Sequence, residues 1–89
     1  MSRELTQVEL EELLVQLGFQ LIASVPGSHR AFRHESTDTL VVLKWDQATP
    51  VMPAVVVGTR RLLDEKGIID KKDFDARTRE MTAKHTQRV

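Results

Sequence analysis

His29 is the side chain of this sequence best suited to chemistry. It follows the turn Pro26-Gly27-Ser28 and begins a segment with the pattern of a strand. An imidazole changes its charge within the physiological pH range, so it can take a proton from a ribose 2′-hydroxyl or give one to a leaving oxygen. Because RNA carries that hydroxyl as an internal nucleophile, such a cut needs neither a metal nor a protein nucleophile. The position alone also fits an ordinary exposed histidine in a turn, and both interpretations stay open.

Several basic side chains are candidates for holding a phosphate near this histidine. Strand alternation places His29 and Arg33 on one face and Arg30 and Phe32 on the other. Phe32 is an obvious core residue, so His29 and Arg33 are expected on the opposite face of the sheet, which no helix covers and which we call the open face. Guanidinium and ammonium groups there would stabilise charge that develops on a phosphate. The candidate phosphate contacts are Arg30, Arg33, Lys44, Arg60 and Arg61, and each, taken alone, is also explained as a solvated surface charge.

The other titratable side chains do not suggest a second site. His34 falls on the Phe32 side and is interpreted as structural, and the histidines lack the spacing of a metal site. Asp70, Asp73 and Asp75 resemble the acidic start of a helix rather than a calcium loop. We therefore expect neither a metal nor a cofactor.

The composition describes one small globular domain. The chain has 89 residues, its 13 Lys+Arg balance its 13 Asp+Glu, and 40% of it is hydrophobic. The absence of cysteine excludes disulfides and thiolate chemistry, which fits a reducing compartment. No apolar stretch has the length of a membrane span and no apolar leader follows Met1, so we expect a cytoplasmic protein without membrane contact.

The first element is a helix over residues 7–17 with clear signals at both ends. Thr6 and Glu9 have the spacing of a capping box. Apolar residues then recur at helical spacing, and Gly18 is a typical left-handed stop. The buried stripe consists of Leu10, Leu13, Leu14 and Leu17.

Three strands and two helices are expected after it. The strands cover residues 19–25, 29–34 and 39–45, joined by short turns that predict an antiparallel meander, with Trp45 assigned to the core rather than to base stacking. The second helix starts near Pro53 or near Thr59, and Asp70 caps the last one. The predicted fold is α+β, with the helices on one sheet face, a single domain over residues 1–84 and a frayed tail over 85–89.

Short motifs in the same order resemble the HicA toxin family. Leu13–Phe19 is similar to the helix end that precedes the family's first strand, and Gly27–His34 contains the Gly-Ser-His motif that opens its second. Gly58–Gly67 is similar to the family's second helix, and Asp73-Phe74 to its closing segment. The resemblance covers residues 6–75.

This resemblance implies a fold like that of the double-stranded-RNA-binding domain and metal-independent cleavage of messenger RNA. It also implies a HicB-like antitoxin protein that covers the active face. The family's catalytic histidine falls on His29, and Ser28, beside it in the motif, joins the basic residues above as a predicted RNA contact.

Two hypotheses follow. The first is an RNA-binding HicA-like toxin, an mRNA endoribonuclease with His29 as general acid or base. The second is a non-catalytic module that binds RNA or protein on the same fold. An exposed His29 among basic side chains favours the first, and a packed His29 among carboxylates favours the second.

Overall fold

The computed structural model of the protein describes residues 5–44 and 50–86. The elements in chain order are helix α1 (Gln7–Gln16), strands β1 (Phe19–Val25), β2 (His29–His34) and β3 (Thr39–Lys44), and helices α2 (Pro53–Glu65) and α3 (Lys71–Thr86). The predicted α+β order of one helix, three antiparallel strands and two helices is therefore confirmed.

Helix α1 has the predicted capping box. The Thr6 hydroxyl accepts a hydrogen bond from the Glu9 amide at 3.3 Å, and the Glu9 carboxylate accepts one from the Thr6 amide at 2.9 Å. The helix ends at Gln16, one residue before the predicted end. Gly18 then takes a φ of +101°, which side chains rarely adopt, and a Cβ there would lie 3.3 Å from the His34 ring. This glycine is needed both for its conformation and for the space it leaves.

The strands form one antiparallel sheet in the order β1-β2-β3. The β2–β3 pairing is regular over its whole length, whereas the β1–β2 register shifts between Leu21 and Ala23. An extra residue of this kind is a β-bulge, which bends and twists an edge strand. The two edges of the sheet are therefore different in shape.

The helices cover one face of the sheet. Exposure in β3 alternates from residue to residue, with Val41 and Leu43 buried and Leu40 and Val42 exposed. Helix α1 packs against β1 and α3, and α2 packs against α3. Each fully buried leucine or phenylalanine stabilises the fold by roughly 1.5–3 kcal/mol. The largest fully buried apolar side chains are Leu10, Leu13, Leu14, Phe32, Leu63 and Phe74.

Helix α2 begins at Pro53, the earlier of the two predicted starts. A proline in the first turn is favourable because its fixed φ suits a helix and its missing amide is not needed there. Val56 packs against the core, and this tertiary contact outweighs the weak helix propensity of the valines and Gly58.

Helix α3 begins after Asp70, whose carboxylate accepts a hydrogen bond from the Asp73 amide at 2.7 Å, as predicted. The helix continues to Thr86. Residues 87–89 and Trp45 lie outside the described part of the chain. Among the described residues, no helix has the length and apolar character needed to cross a membrane.

Candidate functional site

His29 is the first residue of β2 and lies on the open face of the sheet. Its cross-strand partners are Val25 on β1 and Lys44 on β3. The side chain is half-buried rather than enclosed in the core. This placement is the one expected from strand alternation, because Phe32 lies on the opposite face and is 2% exposed.

The Ser28 hydroxyl lies next to the His29 ring. Its Oγ is 2.9 Å from Nδ1, within hydrogen-bond distance. The other ring nitrogen, Nε2, has no hydrogen-bond partner among residues 5–44 and 50–86. Because the hydroxyl can either accept from Nδ1–H or donate to the Nδ1 lone pair, this contact can orient the ring in either tautomer and leaves Nε2 free to take or give a proton.

Lys44 is the cation nearest to this imidazole in the sheet. Directly paired residues of antiparallel strands have Cα atoms about 4.5–5.5 Å apart and side chains on the same face. Lys44 is exposed and makes no ion pair with any described residue. The structure thus brings together a half-exposed imidazole and an ammonium group that no described carboxylate neutralises, a pair able to move a proton and bind a phosphate.

The rest of the open face is mostly apolar. Leu40 and Val42 of β3 are 51% and 55% exposed, and Val25 of β1 is 44% exposed. The buried Ala31 lies between Ala23 and Val42 in the sheet. Thus the sheet has a polar end at His29 and Lys44 and an apolar middle.

Arg30 does not belong to the candidate site. Its Nε donates to both carboxylate oxygens of Glu11 at 3.0 and 3.1 Å, and the two side chains are 16% and 9% exposed. The guanidinium also lies over the Phe32 ring, 5.9 Å from its centroid. Arg30 therefore links β2 to α1 on the face opposite His29. Strand alternation already indicated that face, but no local signal identified Glu11 as the partner.

Arg33 shares the open face with His29 but is paired with an acidic side chain. Its guanidinium donates to Asp38 at 2.8 and 3.0 Å. Both side chains of this pair are exposed, at 45% and 81%. An exposed pair of this kind contributes little stability, so Arg33 can exchange Asp38 for a phosphate at small cost.

Arg60 and Arg61 are part of the helical layer and do not share the open face with His29. Arg60 donates to both carboxylate oxygens of Asp75 at 3.0 Å, which links α2 to α3. Arg61 is exposed and has no ion-pair partner in the described part of the chain. Of the predicted phosphate contacts, Lys44 and Arg33 are therefore the two that share the open face with His29, Lys44 beside it and Arg33 four residues along β2.

His34 is structural, as predicted. Its ring lies 5.1 Å from the Phe19 ring and its Nδ1 is 2.9 Å from the Thr37 hydroxyl. It also lies directly against Gly18. In residues 5–44 and 50–86, no group of three His, Asp or Glu side chains is arranged to hold a metal ion.

Comparisons of the chain with models of protein families, with curated proteins and with solved structures gave no match.

Proposed function

We propose that this protein is a cytoplasmic HicA-like toxin that binds messenger RNA and cleaves it without a metal, with His29 as general acid or base. The observation that carries the proposal is the environment of His29. One ring nitrogen is held by the Ser28 hydroxyl at 2.9 Å, the other has no partner among the described residues, and Lys44 is its direct cross-strand neighbour. The motif order that resembles the HicA family supports the same conclusion independently.

The proposed reaction uses the nucleophile of RNA itself. The ribose 2′-oxygen attacks the adjacent phosphorus, the bond from phosphorus to the 5′-oxygen breaks, and a 2′,3′-cyclic phosphate and a 5′-hydroxyl are formed. Nε2 of His29 either takes the 2′-hydroxyl proton or gives a proton to the leaving 5′-oxygen. Lys44 stabilises the negative charge that develops on the phosphate.

The other residues of the site have supporting roles. Ser28 orients the imidazole through the contact of its hydroxyl with Nδ1. Arg33 gives up Asp38 to contact a neighbouring phosphate, which its exposure on the open face allows. In this scheme the RNA crosses the open face from the His29 end toward the Arg33 end of β2.

A HicB-like antitoxin is the proposed protein partner. The exposed Leu40 and Val42 lie on the same face as His29. A protein that covers this face would remove apolar surface from water, the main favourable term in most protein–protein association, and would block access to the imidazole. In such a complex the antitoxin contacts both the apolar middle of the open face, at Leu40 and Val42, and its polar end, at His29 and Lys44.

The alternative is a non-catalytic module that binds RNA or protein on this fold, and one observation favours it. Of the five basic residues Arg30, Arg33, Lys44, Arg60 and Arg61, three are ion-paired within the protein. The chain also has a formal net charge of zero, whereas phosphate-binding domains are usually basic. These features weaken RNA binding relative to a basic domain.

Expression in cells separates the two functions. The wild-type protein is induced beside His29→Ala and beside Glu65→Ala, which changes an exposed residue at the end of α2, in the helical layer. Circular dichroism of each purified variant checks the fold. Growth arrest with loss of messenger RNA in the wild type and Glu65→Ala, but not in His29→Ala, supports the nuclease. Equal growth of all three, or equal arrest by folded His29→Ala, contradicts it.

A further inference from the structure

The two edges of the sheet differ in how well they can accept another strand. Strand β1 is interrupted by the bulge at Ile22, and bulges are one of the ways in which proteins block edge-to-edge pairing. Strand β3 pairs with β2 without interruption from Thr39 to Lys44 and contains neither proline nor glycine. A regular apolar edge strand of this kind is a template for strand addition.

β3 is an edge strand, and its outer side is not paired with another strand of the described residues. Within the described residues, no backbone group outside β2 forms a hydrogen bond with a backbone group of β3. A groove of about 280 Å³ follows this edge and is lined by Val42, Leu43 and Lys44 on one side and by Met52 and Val55 on the other. Because consecutive strand residues point to opposite faces, a groove lined by all three strand residues runs along the edge. The groove leaves space beside the Lys44 end of β3.

We propose that β3 pairs with β3 of a second copy of this chain, antiparallel and across a two-fold axis, to form a continuous six-stranded sheet. The requirement for matching faces restricts the register. Directly opposed residues of antiparallel strands lie on the same face, so residues that are buried on the core side must meet each other. This condition leaves registers centred on Leu40, Val41 or Val42.

Charge and polarity select the register centred on Val41. In this register Leu40 is opposite Val42 of the second copy, and Asp38 is opposite Lys44 of the second copy. Asp38 lies in the turn just before β3, where its carboxylate accepts from Arg33 of the same copy in an exposed ion pair. In the dimer this carboxylate exchanges Arg33 for Lys44 of the second copy, at small cost because the pair is exposed, and this happens once at each end of the interface.

The neighbouring registers lack this complementarity. Centring on Val42 places Leu40 against Lys44 of the second copy, an apolar side chain against a charge. Centring on Leu40 places Asp38 against Val42 of the second copy and leaves Lys44 opposite Ser36. The dimer does not rest on the proposed nuclease function, because strand addition at the edge uses backbone groups, and the pairing of Lys44 with Asp38 of the second copy would compete with the role of Lys44 at the phosphate.

Sedimentation velocity tests the association, with two matched variants. Ile22 and Val42 are both 55% exposed, but Ile22 is at the bulged edge and Val42 at the proposed interface. From about 1 µM to 1 mM, the range of weak protein–protein contacts, the wild type is expected to pass from its 10.1 kDa monomer to a dimer. Val42→Lys should raise the dissociation constant at least about tenfold, since it places a charge opposite Leu40, whereas Ile22→Lys should leave it unchanged.

Disulfide trapping tests the register, because the chain contains no cysteine of its own. A mixture of the single variants Leu40→Cys and Val42→Cys should form a disulfide-linked dimer on oxidation. Each variant alone should not, because its two thiols would lie on diagonal positions with Cα atoms about 7–8 Å apart, beyond the usual reach of a disulfide. Efficient linking of either variant alone contradicts the register. A monomer up to the highest concentration, or equal effects of Val42→Lys and Ile22→Lys, overturns the dimer.

Discussion

Replacement of Glu11 by glutamine tests how the helical layer is attached to the sheet. The Glu11 carboxylate accepts hydrogen bonds from Arg30 through both oxygens and from the Gln7 side-chain amide at 2.8 Å. Glu11→Gln keeps the size and shape of the side chain. It turns one acceptor oxygen into an amide group that cannot accept a hydrogen bond, and it removes the charge that compensates the guanidinium.

The expected loss of stability follows from the burial of this pair. Removing one partner of a fully buried ion pair costs about 3–5 kcal/mol, and a hydrogen bond to a charged group contributes about 1.5–3 kcal/mol. Because Arg30 remains 16% exposed and one acceptor oxygen survives, we expect the free energy of unfolding to fall by about 2 kcal/mol. For a domain of this size the loss corresponds to a decrease in Tm of roughly 10 °C.

Urea unfolding followed by circular dichroism measures this change, with Asp38→Asn as the control. The pair of Arg33 and Asp38 has the same chemistry and similar distances, but its side chains are 45% and 81% exposed. At low micromolar protein concentration the control should lose less than about 1 kcal/mol. Equal losses in the two variants would refute the reasoning that burial decides the contribution of each ion pair.

Substitutions at Gly18, Gly58 and Ser28 give predictions of different kinds. Gly18→Ala should destabilise the fold by at least about 1 kcal/mol, since a side chain is strained at φ +101° and its Cβ would contact the His34 ring. Gly58→Ala, inside α2 with open space around it, should instead raise stability by about 0.5–1 kcal/mol, and thermal unfolding compares the two. Ser28→Ala should lower the rate of RNA cleavage about tenfold or more by releasing Nδ1 of His29, while Ser28→Thr restores most of it, as single-turnover assays can show. An unchanged rate in Ser28→Ala would contradict the positioning role.

Local signals in the sequence predicted most of the architecture. The capping box, the apolar stripe and Gly18 defined α1 to within one residue, because each acts within a few positions along the chain. Strand alternation placed His29 and Phe32 on opposite faces of β2. These features depend on periodicity and backbone chemistry, which a single sequence contains.

These local sequence signals could not identify the ion-pair partners of Arg30 and Arg60. Arg30 meets Glu11 nineteen positions away, and Arg60 meets Asp75 fifteen positions away, so both pairs depend on how the helices dock. As isolated residues, these arginines could not be distinguished from solvated charges or phosphate contacts.

The early start of α2 at Pro53 and the bulge in β1 likewise depend on tertiary packing rather than on local propensity. The sequence therefore indicated His29 and Lys44, which the structure places side by side. It also indicated Arg30 and Arg60, whose guanidinium groups are ion-paired with Glu11 and Asp75 instead.

The most direct test of the central proposal is cleavage of a defined RNA by the purified protein in the presence of a metal chelator. Two substrates are compared, an RNA oligonucleotide and the same sequence with deoxyribose throughout, and the enzymes are the wild type and folded His29→Ala. The account predicts that the wild type cuts RNA alone and leaves 2′,3′-cyclic phosphate ends, and that His29→Ala leaves the RNA intact. Cleavage of the deoxyribose substrate, or equal rates for the wild type and His29→Ala, would contradict it.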